Sequence, residues 1–256
     1  MTRVFDHFSL VMISLIYGAL MGGFFSLDCL KDIEADKIDK PGRPLPSGRL
    51  NETQALRFII VLFMLSALFL TVLFIFRPSL QTLILTVLGL ILAILYSIPP
   101  GLSRIPLLSH AIIASLFTIF PLLSGWGLFK PLGLAPFHII GALFFLAWGD
   151  IEDLEDVEVD RIVGIKTLPV IIGFRRAALI SSLINFLSVL IGIYDFFVHH
   201  RLYWLISLPL QLSAVLLILQ LTRVDMKLDV HRIRRICNAL YVSTGIILTA
   251  GYVFLS

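Results

Sequence analysis

The sequence predicts an all-α protein, a multi-span transmembrane helical bundle of about eight spans, forming a single integral membrane domain over residues 1–256. Three observations predict it. First, 58% of the 256 residues are hydrophobic and only 14% are charged, with a mean hydropathy of +0.98. Soluble domains average about 45–50% apolar and about 25% charged. Second, the apolar residues gather into eight runs, and one span takes about 20 such residues. Third, Lys and Arg are dense in alternate loops, as the positive-inside rule requires. These features exclude a soluble globular protein, a disordered chain and a disulfide scaffold. Two cysteines, Cys29 and Cys237, make no framework, and there is no CxxC pair. The net charge of +3 does not indicate nucleic acid, because the basic residues lie between the apolar runs.

The runs fall at about 5–28, 54–76, 80–98, 106–127, 134–150, 177–198, 202–221 and 236–255. Arg77-Pro78 separates the second from the third, and Ile98-Pro99-Pro100-Gly101 closes the third. The first run has Arg3 ahead of it, as a signal peptide would. It is read as a span instead, because no A-x-A-like site follows and it leads straight into a charged motif. The loops after spans one, three, five and seven hold 16 of the 20 Lys and Arg residues. The other side has Arg3, Arg77, Lys130 and Arg201. That split predicts a multi-pass cell-membrane protein with the sixteen in the cytoplasm and both termini outside.

Acids are far less evenly spread. Asp28, Asp32, Glu34, Asp36 and Asp39 lie in one short segment, and Asp150, Glu152, Asp153, Glu155, Asp156, Glu158 and Asp160 lie in another. Twelve of seventeen acids thus sit at the predicted cytoplasmic ends of two spans. A merely solvated face explains this poorly, since packed like charges repel unless something neutralises them. Asp28, Asp32 and Asp36 are spaced i, i+4, i+8, and Asp153, Asp156 and Asp160 are spaced i, i+3, i+7. Each set shares one helix face. Carboxylate oxygens in such stripes suit a hard divalent cation, and Mg²⁺ usually combines one or two carboxylates with substrate phosphate oxygens. All six aspartates are therefore candidate metal ligands for a Mg²⁺-bound polyphosphate.

The loops that follow supply cations. Lys40-Pro41-Gly42-Arg43-Pro44-Leu45-Pro46-Ser47-Gly48-Arg49 is stiff and non-helical, and is expected to fold Arg43 back over the first stripe. Asp160-Arg161 and then Lys166-Thr167-Leu168-Pro169 follow the second. Arg grips phosphate bidentately and Lys acts as a point charge. Arg43 and Lys166, tied by short loops to the acids, are read as functional. Arg175, Arg176 and the basic cluster at 232–235 are read as membrane anchors.

These residues resemble the UbiA superfamily of intramembrane prenyltransferases. The family's first motif, N-x-x-x-D-x-x-x-D followed by a loop of the R-P-x-P-S-G kind, is matched by Asp28-x3-Asp32-x3-Asp36 and Arg43-Pro44-Leu45-Pro46-Ser47-Gly48. The second, an aspartate series leading into T-L-P, is matched by Asp153 to Asp160 and Lys166-Thr167-Leu168-Pro169. Tyr96-Ser97-Ile98-Pro99-Pro100 and then Arg104 look like the tyrosine, prolines and basic residue that close a middle helix in the family. The resemblance covers about residues 5–256 and implies a helical bundle around a central cavity open sideways to lipid. It implies two Mg²⁺ ions holding a prenyl diphosphate between the two motifs, and passage of the allyl cation to a lipophilic acceptor. On that footing Asp32, Asp36, Asp156 and Tyr96 are the candidate catalytic residues. Arg43, Arg104, Lys166 and Arg161 are the candidate diphosphate ligands. Asp36 or Glu155 as a general base is the alternative to metal binding.

Three departures from the family pattern are visible. Asp28 stands where the family usually has Asn, which strengthens the ligand and adds repulsion. The family usually has nine spans, so the chain is expected to lack the helix ahead of the first motif, through either a misplaced gene start or a working eight-helix form. His110 stands where many relatives have Asn. Of the acceptors used in the family, the run Asp153 to Pro169 looks most like archaeal members that add a second geranylgeranyl chain to a glyceryl phosphate lipid. An aromatic or quinone precursor, or a chlorophyllide, is the alternative, as is a terpene cyclase without a separate acceptor. A divalent-cation transporter is the non-enzyme alternative, disfavoured because its acids would sit near the midplane. A CDP-alcohol phosphotransferase is excluded, since its D-G-x-x-A-R-type element is missing.

Overall fold

The computed structural model describes residues 7–98, 101–129, 135–223 and 227–255. Among them every regular element is helical. Pro99, Pro100, Arg3 and Lys130, which entered the sequence reading, lie outside the described residues. The eight apolar runs become α1 (His7–Lys31), α3 (Glu52–Phe76), α4 (Leu80–Ser97), α5 and α6 (Leu108–Ala114 and Phe120–Phe129, joined by a π turn at Ser115–Ile119), α7 (Ala135–Val163), α9 (Phe174–His199), α10 (Tyr203–Gln220) and α11 (Lys227–Leu255). Short helices α2 (Ile33–Asp39) and α8 (Leu168–Ile172) follow α1 and α7. Among the described residues six stretches are long and apolar enough to cross a membrane: α1, α3, α4, Leu108–Gly125, Phe174–Val198 and Tyr203–Arg223. The other two apolar runs occupy parts of the 29-residue helices α7 and α11, whose remaining turns are charged. The chain is an integral membrane protein.

Two elements run further than the apolar pattern. Helix α7 continues past residue 150 and carries the whole second acid segment. Helix α11 starts at Lys227 and takes in the basic cluster at 232–235, which the sequence alone places in a polar connection. Arg and Lys in α11, and Leu and Glu in α7, are good helix formers, and neither extension contains Gly or Pro.

The chain divides into two compact units, Met1–Ala135 and Pro136–Ser256. In the first, α1 packs along α3 and against α4 and α6. Ile13, Ile16 and Tyr17 meet Leu70 and Leu73 there, and the Tyr17 hydroxyl bonds Ser124 Oγ at 2.8 Å. Ser66 Oγ donates to the Ile16 carbonyl at 2.9 Å, a side-chain bond across the α1–α3 contact. In the second unit, Ile151 and Leu154 of α7 share a core with Ala177 and Ala178 of α9, Ala214 and Ile218 of α10, and Val230 and Cys237 of α11. Ser188 and Ser207 bond Gln211, forming a buried polar seam between α9 and α10. Such seams hold helices together where lipid removes the hydrophobic drive. Met64, Ile75 and Phe76 of α3 are largely exposed, as apolar side chains facing lipid should be.

The α1–α3 contact depends on a missing side chain. A Cβ on Gly23 would lie 2.5 Å from Phe63 Cε1 and 2.7 Å from Phe63 Cδ1. Gly23→Ala should therefore destabilise the protein by about 1–3 kcal/mol. Phe63→Leu in the same chain should restore most of the loss, as read by thermal unfolding of the detergent-purified protein.

Candidate functional site

The first acid stripe crosses a break in the helix. Regular α-helix stops at Lys31 and resumes at Ile33, with Asp32 at φ −93°, ψ 14°. The bonds Asp32 N to Asp28 O, Asp36 N to Asp32 O and Lys40 N to Asp36 O nevertheless run at 3.0, 2.8 and 2.8 Å. The row of i→i−4 bonds that carries the three aspartates is unbroken, so Asp28, Asp32 and Asp36 stay on one face as their spacing predicts.

The loop after α2 folds onto this stripe. Arg43 Nη1 donates to both carboxylate oxygens of Asp36, at 3.0 and 2.8 Å. The Asp36 side chain is 7% exposed and that of Arg43 is 43%. Turn bonds from Ser47 N to Arg43 O and from Leu50 N to Pro44 O hold the loop shape. Gly48 takes φ +74°, a left-handed conformation that glycine adopts without a Cβ clash. Asn51 then caps α3 through a reciprocal box with Gln54. Beside the Asp36–Arg43 pair lies a pocket of about 250 Å³, lined among others by Phe25, Cys29, Leu45 and Phe58.

At the other end of the stripe is a residue that sequence reasoning counted only as a positive-inside charge. The Lys31 ammonium lies 2.6 Å from Asp28 Oδ1 and 3.4 Å from Asp32 Oδ1. It donates to Ser103 Oγ at 3.1 Å and stands 5.3 Å from the centroid of the Tyr96 ring. Tyr96 is buried, with its ring edge-on to Phe24 at 4.9 Å. Lys31 thus links the Tyr96 ring to the first stripe. Arg104 is exposed in the short 3-10 turn after Gly101, next to Ser103. Partial burial pushes the Asp32 carboxyl up to about 6, with the Asp28 carboxylate adding to the rise and Lys31 opposing it. His110 is buried in the first turn of α5.

In the second unit the acids of α7 divide by type. Glu155 is buried, 2.6 Å from His231 Nδ1 and 2.8 Å from Arg234 Nε. Glu152 lies 3.2 Å from Arg234 Nη1. Arg234, read from sequence as an anchor, thus ties α11 to α7, and Glu155 is committed to that tie. Asp160 accepts a bond from Thr167 Oγ1 at 2.9 Å, and Ile165 N bonds its carbonyl at 2.8 Å across Gly164, which has φ +76°. This joins the second stripe to the Lys166-Thr167-Leu168-Pro169 segment as the sequence predicts. Lys166 is exposed on that turn and Arg161 is exposed in the last turn of α7, while Asp153 and Asp156 are half-buried.

The donor set suits Mg²⁺. It consists of carboxylate oxygens, and each carboxylate offers more lone pairs than its protein partners use. Among the described residues no three acid, His or Cys side chains converge on one point. An ion here would need further oxygens from substrate and water, which is how Mg²⁺ is usually held.

The UbiA prenyltransferase family model matches residues 2–241. The chain is 30% identical over 176 residues to digeranylgeranylglyceryl phosphate synthase of Pyrococcus furiosus, covering 68% of this chain and 60% of that protein. With the enzyme of the same name from Pyrococcus abyssi it shares 32% over 163 residues, 62% of this chain and 55% of that one. The match thus spans less than two thirds of either relative. The enzyme of that name from Sulfurisphaera tokodaii is 28% identical over 222 residues, 85% and 77% of the two chains. Among solved structures, a UbiA homologue from Aeropyrum pernix superposes with a TM-score of 0.74 at 16% identity, over 98% of this chain and 90% of that one. A UbiA homologue from Archaeoglobus fulgidus bound to GPP and Mg²⁺ gives 0.67 at 17%, over 97% and 90%. At these identities the structural likeness establishes the fold.

The Asp36–Arg43 pair offers a direct check of the folded loop. Arg43→Ala should leave a buried carboxylate uncompensated and cost about 1–3 kcal/mol, the lower part of that range being expected because Arg43 is partly exposed. Asp36→Asn should recover most of the lost thermal stability in the double variant.

Proposed function

The chain belongs to the UbiA prenyltransferase family, and from that premise we propose that it is a Mg²⁺-dependent prenyltransferase. It would move a prenyl group from a polyprenyl diphosphate to a lipophilic acceptor. The observation that carries this reading is the Asp36–Arg43 contact, a basic Pro-rich loop folded onto a carboxylate stripe at the end of an apolar helix. The acceptor we propose is geranylgeranylglyceryl phosphate, in archaeal-type lipid synthesis. Three archaeal relatives bearing the name digeranylgeranylglyceryl phosphate synthase support it. The allylic C–O bond would break with its electron pair leaving on the diphosphate. The acceptor hydroxyl oxygen would then form the new C–O bond and lose its proton.

In this reading the aspartates of the two stripes, Asp28, Asp32 and Asp36 in the first and Asp153, Asp156 and Asp160 in the second, are the candidates that hold Mg²⁺, two ions in all. Bound Mg²⁺ supplies Lewis-acid stabilisation of the departing diphosphate. Arg43, Arg104, Lys166 and Arg161 add fixed positive charge, which stabilises a developing anion best where water is excluded. Tyr96 presents its ring to developing positive charge on the prenyl group. A transporter reading is not supported by the acid positions, which lie at the ends of α1 and α7.

Asp32→Ala and Asp156→Ala should each abolish the prenylated product made by purified protein from geranylgeranyl diphosphate and geranylgeranylglyceryl phosphate. EDTA should do the same to the wild type, and turnover undiminished by EDTA would end the metal reading. Arg43→Lys keeps the charge and loses the planar fork, so it should depress kcat/KM about tenfold or more, while Arg176→Lys changes it little. We further propose that the Asp motifs face the cytoplasm. Cysteines placed at Ser47 and Val163 should then react with an impermeant maleimide only after the cell membrane is opened. Labelling of intact cells would reverse the orientation.

A further inference from the structure

The first stripe already contains a cation. We propose that Lys31 is a tethered positive charge that fills the Asp28–Asp32 seat, so that a divalent ion at the first motif does not take Asp28 as a ligand. The inference rests on the metal reading above and sharpens it residue by residue.

The geometry separates Lys31 from an ordinary surface pair on the next turn. Lys37 and Glu34 have the same i, i+3 spacing and the same 2.6 Å separation, but their side chains are 51% and 82% exposed. The Lys31 side chain is 21% exposed and that of Asp28 is 27%. Lys31 also meets groups that are not acids and come from elsewhere in the chain. Ser103 Oγ accepts from its ammonium at 3.1 Å, and the face of Tyr96 lies beneath it at 5.3 Å. These contacts place the ammonium whatever the charge state of the aspartates. A Mg²⁺ ion takes its oxygens at about 2.0–2.1 Å. One bound to Asp28 Oδ1 and Asp32 Oδ1 would occupy the volume the ammonium holds at 2.6 and 3.4 Å from those same atoms. Ammonium and divalent ion therefore exclude each other at this seat, by overlap and by like charge. A residue with a fixed cation at one end of the stripe also offers the diphosphate a positive charge that no chelator removes.

The test is a binding isotherm for Mn²⁺ alone, read by the EPR signal of the free ion, on the purified full chain in detergent. Wild type and Asp28→Ala should give the same isotherm, because Asp28 is committed to Lys31. Lys31→Met, which keeps the length and loses the charge, should bind one more Mn²⁺ per chain, or bind it about tenfold or more tighter. Adding Asp28→Ala to Lys31→Met should abolish that gain. If Lys31→Met does not yield folded protein, the Asp28→Ala isotherm still decides, since weakened binding makes Asp28 a metal ligand and overturns the proposal. A Lys31→Met isotherm identical to wild type overturns it too, with the metal reading left standing. Absence of Mn²⁺ binding by wild type and Lys31→Met alike overturns both.

Discussion

Placing many carboxylates at the end of an apolar helix is the constraint on which the rest of the structure depends. Like charges this close repel, and half-burial beside a membrane deepens the cost. The chain answers with its own donors along both acid segments. Lys31 neutralises the Asp28 end of the first stripe, Arg43 neutralises Asp36, and Arg234 pairs with Glu152 and Glu155, with His231 in a hydrogen bond to Glu155. Asp160 is held by a neutral hydroxyl, Thr167. Lys31 lies on α1 itself, but Arg43, Thr167, His231 and Arg234 come from segments that must be brought back to the stripes, so the turn after α2, the turn after α7 and the start of α11 have their conformations set by this need.

Much of the fold was legible because lipid makes hydropathy a direct record of structure. A span must bond all its backbone groups internally, so every long apolar run has to be a helix. The run limits 54–76 and 80–98 agree with α3 and α4 to within two residues. Where charge entered a helix the record failed. Residues 227–235 and 151–163 are helical for reasons that the apolar pattern does not contain, namely helix-forming side chains and ion pairs to each other. The buried Asp195, in contact with Arg201 and Trp204, was equally invisible, since its partners are recognisable only once α9 and α10 lie side by side.

At the site, spacing was a sound guide within a helix and a poor one between elements. The i, i+4, i+8 pattern placed three aspartates on one face despite an irregular Asp32, because the bonds along that row survive. The short loop to Arg43 likewise fixed its partner, since few residues separate it from Asp36. Lys31 was misjudged for the opposite reason. Its sequence neighbours are acids at two spacings, which describes an ordinary helix pair. Its second set of partners, Ser103 and Tyr96, lies more than sixty residues away along the chain.

The division between aspartate and glutamate on α7 follows from side-chain length. At about 100° per residue, Asp153, Asp156 and Asp160 fall within roughly 60° of one another, while Glu152 and Glu155 centre roughly 100° away. The glutamates thus form a separate face, and that face is the one paired with α11. One more methylene lets a carboxylate cross the gap between helices without drawing the backbones together. The shorter aspartates keep their oxygens close to their own helix, where neighbours one or two turns apart can share a small ion. In the proposed reading, glutamate serves docking and aspartate serves ligation, so that one acidic segment does two jobs. The first stripe keeps the same rule, because all three residues on its face are aspartates and its one nearby glutamate, Glu34, points to an exposed lysine.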